Sequence, residues 1–221
     1  QHYRLLDMLI ERGLKPRLTY NSNATRLSLK GKHIQDYWKH FDNIFFCVSL
    51  DQVGPKAEYT RNGQTWQTVF DNLCWIRDNF EHSYDKGVVI QPNPTISVLN
   101  ILDLRYIINF LFEHNIPTDY DINLSNVLVG PEFMSITVLP QHLKDQAKEN
   151  LLLLKQDIDN LEMYPQRRQF LHDGIDNIIN FMYNSDDSHL IKDFREYMQK
   201  FDMKRQENFL KVFPELKDLY V

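Results

Sequence analysis

The pattern of hydrophobic and polar positions predicts one buried strand in the first quarter of the chain. Residues 44–48 read Ile-Phe-Phe-Cys-Val, a continuous apolar run of β-branched, aromatic and small side chains. Such a run is typical of a parallel strand that is buried on both faces. Polar side chains return where the run ends, at Ser49 and Asp51. Because parallel α/β folds bind ligands at the carboxyl ends of their strands, both positions are candidate site residues.

The segments around this run alternate between helical and strand patterns. Helices are predicted at residues 2–12, 34–41, from Trp66 onward and 102–113, and further strands at 17–20, 87–91 and 121–129. This alternation indicates a parallel sheet with right-handed crossovers, which is an α/β fold. The pattern leaves the strand order open, so a Rossmann-like sheet and a partial barrel are both compatible with it.

From residue 140 onward the pattern predicts helices alone. Three amphipathic segments follow one another, and none carries a strand pattern. We therefore divide the chain into an α/β unit at residues 1–139 and a helical C-terminal extension at residues 140–221.

Composition and charge narrow the class of protein. The chain has 221 residues, of which 43% are hydrophobic and 25% charged, as in ordinary soluble globular proteins. A net charge of −5 argues against a broad basic surface for nucleic acid or an anionic membrane. No apolar run approaches the roughly 20 residues that span a bilayer. Cys47 and Cys74 lie in apolar settings, which predicts free thiols and a cytoplasmic location.

The start of the chain and the motif search add two expectations. The helical pattern is already present next to Gln1, and we interpret the chain as a fragment without its natural N-terminus. No glycine-rich phosphate loop follows any predicted strand, and the histidines lack the spacing of metal ligands. Ser49 lacks the nucleophile elbow of hydrolases. We therefore predict no metal ligand and no catalytic residue in this chain.

The remaining candidates are polar side chains near the predicted strand ends. They are Asn21, Asn23, Ser49, Asp51, Tyr59, Arg61 and Gln91. Each of them could simply cap a strand or stabilise a loop. Ser49 and Arg61 give the most specific functional hypothesis. A turn at Gly54-Pro55 would let the hydroxyl of Ser49 and the guanidinium of Arg61 converge on one carboxylate. The alternative for Arg61 is a surface salt bridge to Glu58 or Asp71.

Four segments resemble the radical S-adenosylmethionine (SAM) enzymes, in particular the twitch-domain-containing radical SAM proteins. They are residues 5–14 (LLDMLIERGL), 17–27 (RLTYNSNATRL), 48–78 (beginning VSLDQVGPKAEYTRNG) and 204–220 (KRQENFLKVFPELKDLY). The resemblance implies a partial (β/α) barrel with about four of the family's six strands, followed by the all-helical extension.

The resemblance also implies roles for individual residues. Ser49 and Arg61 match positions that contact the amino-acid part of S-adenosylmethionine. Asn21 and Asn23 match a strand tip that faces cofactor and substrate. The backbone at Val127 to Val129 matches the strand that flanks the adenine. With Asp51, which is included for its location, the predicted cofactor-binding set is Asn21, Asn23, Ser49, Asp51, Arg61, Val127 and Val129.

Two features of the family are missing from this sequence. The C-x-x-x-C-x-x-C loop that holds a 4Fe–4S cluster is absent, and so is the G-G-E-P segment that binds the methionine amine. Both would precede residue 1 in a longer relative. Residues 140–221 carry no cysteine for an auxiliary cluster. The 4Fe–4S cluster is therefore expected only in a full-length parent.

The sequence thus supports two hypotheses. In the first, the chain is the C-terminal part of a radical SAM enzyme and is itself inactive. Its parent would cleave S-adenosylmethionine reductively to a 5′-deoxyadenosyl radical, which abstracts hydrogen from an unknown peptide or small molecule. In the second, the chain is a non-catalytic, degenerate-barrel binding or interaction module. A third possibility is that the truncated barrel exposes the strand edge at residues 17–20, which would permit self-association of the fragment.

Overall fold

A computed structural model describes residues 1–220. The strands are β1 (Leu18–Ser22), β2 (Ser28–Leu29), β3 (Lys32–His33), β4 (Asn43–Val48) and β5 (Gly87–Pro92). Strands β1, β4 and β5 form a parallel sheet in the order β1-β4-β5, and β2 pairs with β3 in a small antiparallel hairpin. The α/β class is therefore confirmed. The sheet does not close into a barrel within the described residues.

Helices make up most of the rest of the molecule. The N-terminal part contains α1 (His2–Glu11), α2 (Gln35–Trp38), α3 (Gly54–Thr60), α4 (Trp66–Asn79) and α5 (Leu104–Glu113). The C-terminal part contains α6 (Gln141–Asp159), α7 (Pro165–Met182), α8 (Ile191–Arg205), α9 (Phe209–Val212) and α10 (Lys217–Tyr220). Short 3-10 turns lie at Ile101–Asp103, Thr118–Tyr120, Glu132–Met134, Ile136–Val138, Ser188–Leu190 and Pro214–Leu216.

The central strand β4 is buried as its apolar run predicts. Ile44, Phe46 and Val48 are at most 3% exposed and lie on one face of the sheet, because alternate residues of a strand share a face. Phe46 contacts the rings of Tyr20 and Trp38 there, and we call this the outer face. The opposite, inner face carries Cys47 and its neighbours in register.

The predicted strand at residues 121–129 is not formed. This segment makes one isolated parallel bridge, between Val127 and Ile96, and a few single hydrogen bonds. The segment beside it contains Pro92 and Pro94. These prolines have no N–H group to donate to a ladder of hydrogen bonds, so a regular strand pair cannot form. The parallel sheet therefore has three strands in the described residues, one fewer than predicted.

Two further local predictions need correction. Gly54-Pro55 does not form the predicted reverse turn between two segments. It begins helix α3 instead, where proline is tolerated because the first N–H groups of a helix have no partner within it. The helix predicted at residues 34–41 is shorter and spans only Gln35–Trp38. The helices predicted at 2–12, from Trp66 and at 102–113 are confirmed within a few residues.

The C-terminal extension is helical, as predicted, and packs closely on the rest. Buried side chains from before and after residue 140 belong to one hydrophobic cluster. At Gly174 of α7, an added Cβ would lie 2.9 Å from Cβ of Leu124, so the helix approaches residues 121–124 very closely. The boundary at residue 140 remains a prediction. Within residues 1–220, no helix combines the length and apolar character that a membrane span requires.

Candidate functional site

The carboxyl ends of the three parallel strands are held side by side by backbone hydrogen bonds. The Ser49 amide donates to the Ser22 carbonyl at 2.8 Å, and the Asn93 amide donates to the Val48 carbonyl at 2.7 Å. The Asn123 amide adds a similar bond to the Pro92 carbonyl at 3.0 Å. The ladder thus continues one residue past each strand, and the predicted site residue Ser49 is fixed between its neighbours.

One row of side chains crosses the inner face just before these ends. Asn21, Cys47 and Gln91 are paired in register across β1, β4 and β5. Cys47 is 8% exposed, and burial raises the pKa of its thiol. A thiol in this state is neutral at physiological pH and a poor nucleophile. The row can therefore offer hydrogen-bonding groups rather than a reactive thiolate.

Asn93, which the sequence did not single out, carries an unsatisfied group at this site. Its Oδ1 atom is buried and has no hydrogen-bond partner among residues 1–220. Most buried polar atoms in proteins are paired, because an unpaired one costs about 1–3 kcal/mol. Asn93 lies next to the row, since its side chain interacts with the Cys47 thiol. A ligand that donates a hydrogen bond here would satisfy the orphan acceptor.

Arg61 already has a carboxylate partner within the chain, and it is Asp51. Arg61 Nε donates to Asp51 Oδ2 at 2.8 Å, and Nη2 lies 2.6 Å from the same oxygen. The other Asp51 oxygen accepts the Thr95 amide at 2.8 Å. This pair therefore ties the segment after β4 to the segment after β5. The alternative partners considered from the sequence, Glu58 and Asp71, accept other hydrogen bonds.

A second polar cluster, centred on Asp121, adjoins the row and was missed from the sequence. Gln91 Nε2 donates to Asp121 at 2.9 Å, and Arg167 of α7 donates to it at 2.6 Å. The Tyr84 hydroxyl donates to the other carboxylate oxygen at 2.6 Å. Burial and the hydrogen bond to Asp121 raise the pKa of Tyr84. No local spacing links these residues, so the sequence held no signal for the cluster.

Tyr59 does not face the strand ends. Its hydroxyl donates to Asp202 of α8 at 2.7 Å, and the Arg205 guanidinium lies 5.3 Å from the centre of its ring. Asp202 also accepts the Tyr220 hydroxyl and the Phe209 amide, each at 2.8 Å. Tyr59 therefore anchors the C-terminal helices on α3.

Of the other three predicted residues, two have local roles in this structure and the third is exposed. Asn23 Oδ1 accepts the amide of Thr25 at 3.2 Å and its hydroxyl at 2.8 Å, which closes a small turn. Val127 makes the isolated bridge to Ile96, and Val129 is 69% exposed. A role for any of them in cofactor binding remains a prediction.

The described residues do not fit a 4Fe–4S cluster. Such a cluster is held by several thiolates. Residues 1–220 contain no group of three or more His, Cys, Asp or Glu side chains placed to hold a metal ion. The two cysteines lie in different elements, Cys47 in β4 and Cys74 in α4, and both are free thiols. No chemical step through a cluster can therefore be assigned to these residues.

Comparison with known proteins gave no match: no family model, no curated protein and no solved structure matches this chain. The interpretation of the site therefore depends on its geometry.

Proposed function

We propose that this chain binds S-adenosylmethionine at the carboxyl ends of β1, β4 and β5, as one wall of a partial radical SAM-type barrel. The observation that supports this proposal most directly is the buried, unpaired Oδ1 atom of Asn93 at the strand ends. S-adenosylmethionine carries three kinds of hydrogen-bond donor: its ammonium group, its ribose hydroxyls and its adenine amine. Any one of them would pair with this oxygen.

The polar groups around Asn93 suit the amino-acid end of the ligand. The Ser49 hydroxyl lies at the neighbouring strand end, and Ser49 is half-buried. Arg61 contacts Asp51 through its Nε and Nη2 atoms, so a ligand carboxylate would approach its Nη1 atom. Guanidinium groups bind two carboxylates in this way because they have five donors.

Asn21 is exposed and Ser49 half-buried at the strand ends, and a larger parent protein would complete the site there. In this proposal the reductive cleavage of S-adenosylmethionine belongs to that parent, because the cluster ligands are not among the described residues. This chain binds and orients the ligand, and it contributes no redox step.

The test is a titration of the ¹⁵N-labelled protein with S-adenosylmethionine, followed by NMR. We expect shifts of the Ser49 backbone amide and of the Asn93 side-chain amide. Asn93→Ala removes the orphan acceptor, so it should weaken binding about tenfold, while the loss of the contact with the Cys47 thiol should change the free energy of unfolding by no more than about 1 kcal/mol. Asn177→Ala is the matched control, because Asn177 is exposed on α7.

A second pair of variants tests the carboxylate contact. Asp51→Asn keeps an oxygen for the Thr95 amide but removes the charge that occupies Arg61, so it should tighten binding. Arg61→Ala should weaken binding severalfold, and Arg12→Ala, an exposed arginine, should leave it unchanged. If S-adenosylmethionine binds saturably and its affinity is unchanged in both Asn93→Ala and Arg61→Ala, the proposed site is contradicted. A complete lack of binding would contradict the proposed function.

A binding module remains the second candidate function. The observation that favours it is the edge of β1 with which no other described strand pairs.

A further inference from the structure

The loop between α3 and α4 contains an asparagine that is followed by a glycine. Asn62-Gly63 is the only Asn-Gly pair in the chain. Both residues are exposed, and they follow Arg61, the C-cap residue of α3. Gly63 has a φ of 85°, a left-handed conformation that glycine adopts without strain. The pair is therefore accessible to solvent.

The backbone amide of Gly63 is unhindered. Among residues 1–220, its N–H group donates to no acceptor, and the side-chain amide of Asn62 has no hydrogen-bond partner. A Cβ atom built on Gly63 would meet no atom within 4 Å apart from its chain neighbours, so the space around this residue is open. The Gly63 nitrogen is thus free to approach the side-chain carbonyl carbon, Cγ, of Asn62.

We propose that Asn62 is a site of spontaneous deamidation in the folded protein. The Gly63 nitrogen forms a bond to Cγ of Asn62 and loses its proton, while the bond from Cγ to Nδ2 breaks and ammonia leaves. Water then opens the resulting succinimide ring. Opening at Cγ gives aspartate, and opening at the backbone carbonyl carbon gives isoaspartate. This inference does not depend on S-adenosylmethionine binding, because the only co-reactant is water.

Other pairs in the chain lack one of these features. Asp173-Gly174 could form the same ring by loss of water. It lies inside α7, however, where Gly174 is buried and helical hydrogen bonding occupies its N–H group. Asn184-Ser185 is exposed, but the side chain of Ser185 crowds the nitrogen that would attack. Asn62 is therefore expected to be the main site.

Deamidation changes the loop in two ways. It places a carboxylate in the residue next to Arg61, whose guanidinium pairs with Asp51, and it makes the net charge of −5 one unit more negative. Isoaspartate also adds one atom to the backbone between α3 and α4. The segment beside the candidate site thereby acquires a charge that the sequence does not encode.

The test is incubation of the whole folded chain in mildly alkaline buffer, followed by pepsin digestion at acidic pH and mass spectrometry. We expect the peptide that contains Asn62 to gain the mass difference between an amide and an acid. Electron-transfer fragmentation should show isoaspartate as well as aspartate. The rate at Asn62 should exceed that at Asn184 about tenfold, the ratio given by a barrier lower by about 1.4 kcal/mol. Incubation in urea should give a similar rate at Asn62, because the folded chain does not hold the Gly63 N–H group.

Two variants test the ring-forming step. Gly63→Ala adds a Cβ next to the attacking nitrogen and should slow the modification about tenfold. Asn62→Gln lengthens the side chain by one methylene, which disfavours ring closure, and should abolish the mass gain at this position. Thr65→Ser, in the same loop, is the matched control and should leave the rate unchanged.

Three results would overturn the proposal. One is the absence of a mass gain at Asn62 in the folded chain. Another is a rate in the folded chain more than about tenfold below the rate in urea, because the fold would then prevent the attack. The third is a Gly63→Ala variant that is modified as fast as the original protein. The comparison of the folded and urea-unfolded original chain decides the matter even if Gly63→Ala does not fold.

Discussion

The hydroxyl of Tyr59 offers the sharpest test of how the C-terminal helices are held on the α/β unit. Tyr59→Phe removes a single oxygen and keeps the ring. The ring contacts of Tyr59 with Phe201 and Phe213, at 5.6 and 5.4 Å between centres, are therefore retained. What is lost is one hydrogen bond to Asp202, which is 8% exposed.

The expected cost follows from the remaining partners of Asp202. A hydrogen bond to a charged group contributes about 1.5–3 kcal/mol, and more is lost when the charge is left without partners. Asp202 keeps the Tyr220 hydroxyl and the Phe209 amide, both at 2.8 Å. We therefore expect Tyr59→Phe to lower the free energy of unfolding by about 2 kcal/mol.

Urea unfolding followed by circular dichroism measures this change. The midpoint should fall while the slope stays the same, because the surface exposed on unfolding does not change. Tyr197→Phe is the matched control, since Tyr197 lies on the same helix as Asp202 and is 44% exposed. A loss below about 0.5 kcal/mol for Tyr59→Phe would refute the reasoning.

The same hydrogen bond predicts an alkaline dependence of stability. Burial and the bond to Asp202 raise the pKa of Tyr59 in the folded protein, and they raise the pKa of Tyr220 to about 12. In the unfolded chain both groups lose their protons near pH 10. Above pH 10 the folded state thus binds more protons, so stability falls by about 1.4 kcal/mol per pH unit for Tyr59 alone. Tyr59→Phe should make this decline shallower; an equally steep decline would contradict the assignment.

Three further predictions concern packing, charge and metal binding. Gly174→Ala should lower the free energy of unfolding by about 1–2 kcal/mol, because the contact with Leu124 outweighs the roughly 1 kcal/mol gain in helix propensity. Arg167→Met should cost about 3 kcal/mol, since it leaves the buried Asp121 carboxylate without its charge partner. Arg105→Met removes a more exposed ion pair and should cost less than about 1 kcal/mol. Anaerobic iron and sulfide reconstitution should give no 4Fe–4S absorbance.

Each of these predictions has a clear contrary result. A higher melting temperature for Gly174→Ala would show that α7 moves away without cost. If Arg167→Met and Arg105→Met lower the free energy of unfolding by the same amount, burial does not distinguish the two ion pairs. Stoichiometric iron-sulfur cluster on the chain would contradict the ligand assignment drawn from residues 1–220.

Several elements follow from local pattern alone. The run at residues 44–48 predicts β4 because continuous burial on both faces requires apolar side chains at every position. The helices of the C-terminal extension follow from apolar residues at helical spacing. The strand predicted at 121–129 failed for a non-local reason, since it depended on donors that Pro92 and Pro94 of the neighbouring segment do not have.

The candidate site was predicted less completely than the fold. Ser49 was located correctly at a strand end, because the change from apolar to polar residues marks that end in the sequence. The convergence of Ser49 and Arg61 on a ligand carboxylate stays a prediction; in the structure Arg61 pairs with Asp51, ten residues away along the chain, a partner that the sequence did not indicate. Asn93 was not predicted, because an unpaired buried atom is a property of its three-dimensional surroundings.

The sequence by itself determined the three strands of the parallel sheet and most of the helices, because these elements depend on residues close together in the chain. Only the tertiary structure decided which polar groups meet. Strand order and register place Asn21, Cys47 and Gln91 in one row, and helix packing brings Asp202 to Tyr59 across 143 residues. No local spacing encodes such contacts, because they arise when distant segments bury their apolar faces against one another.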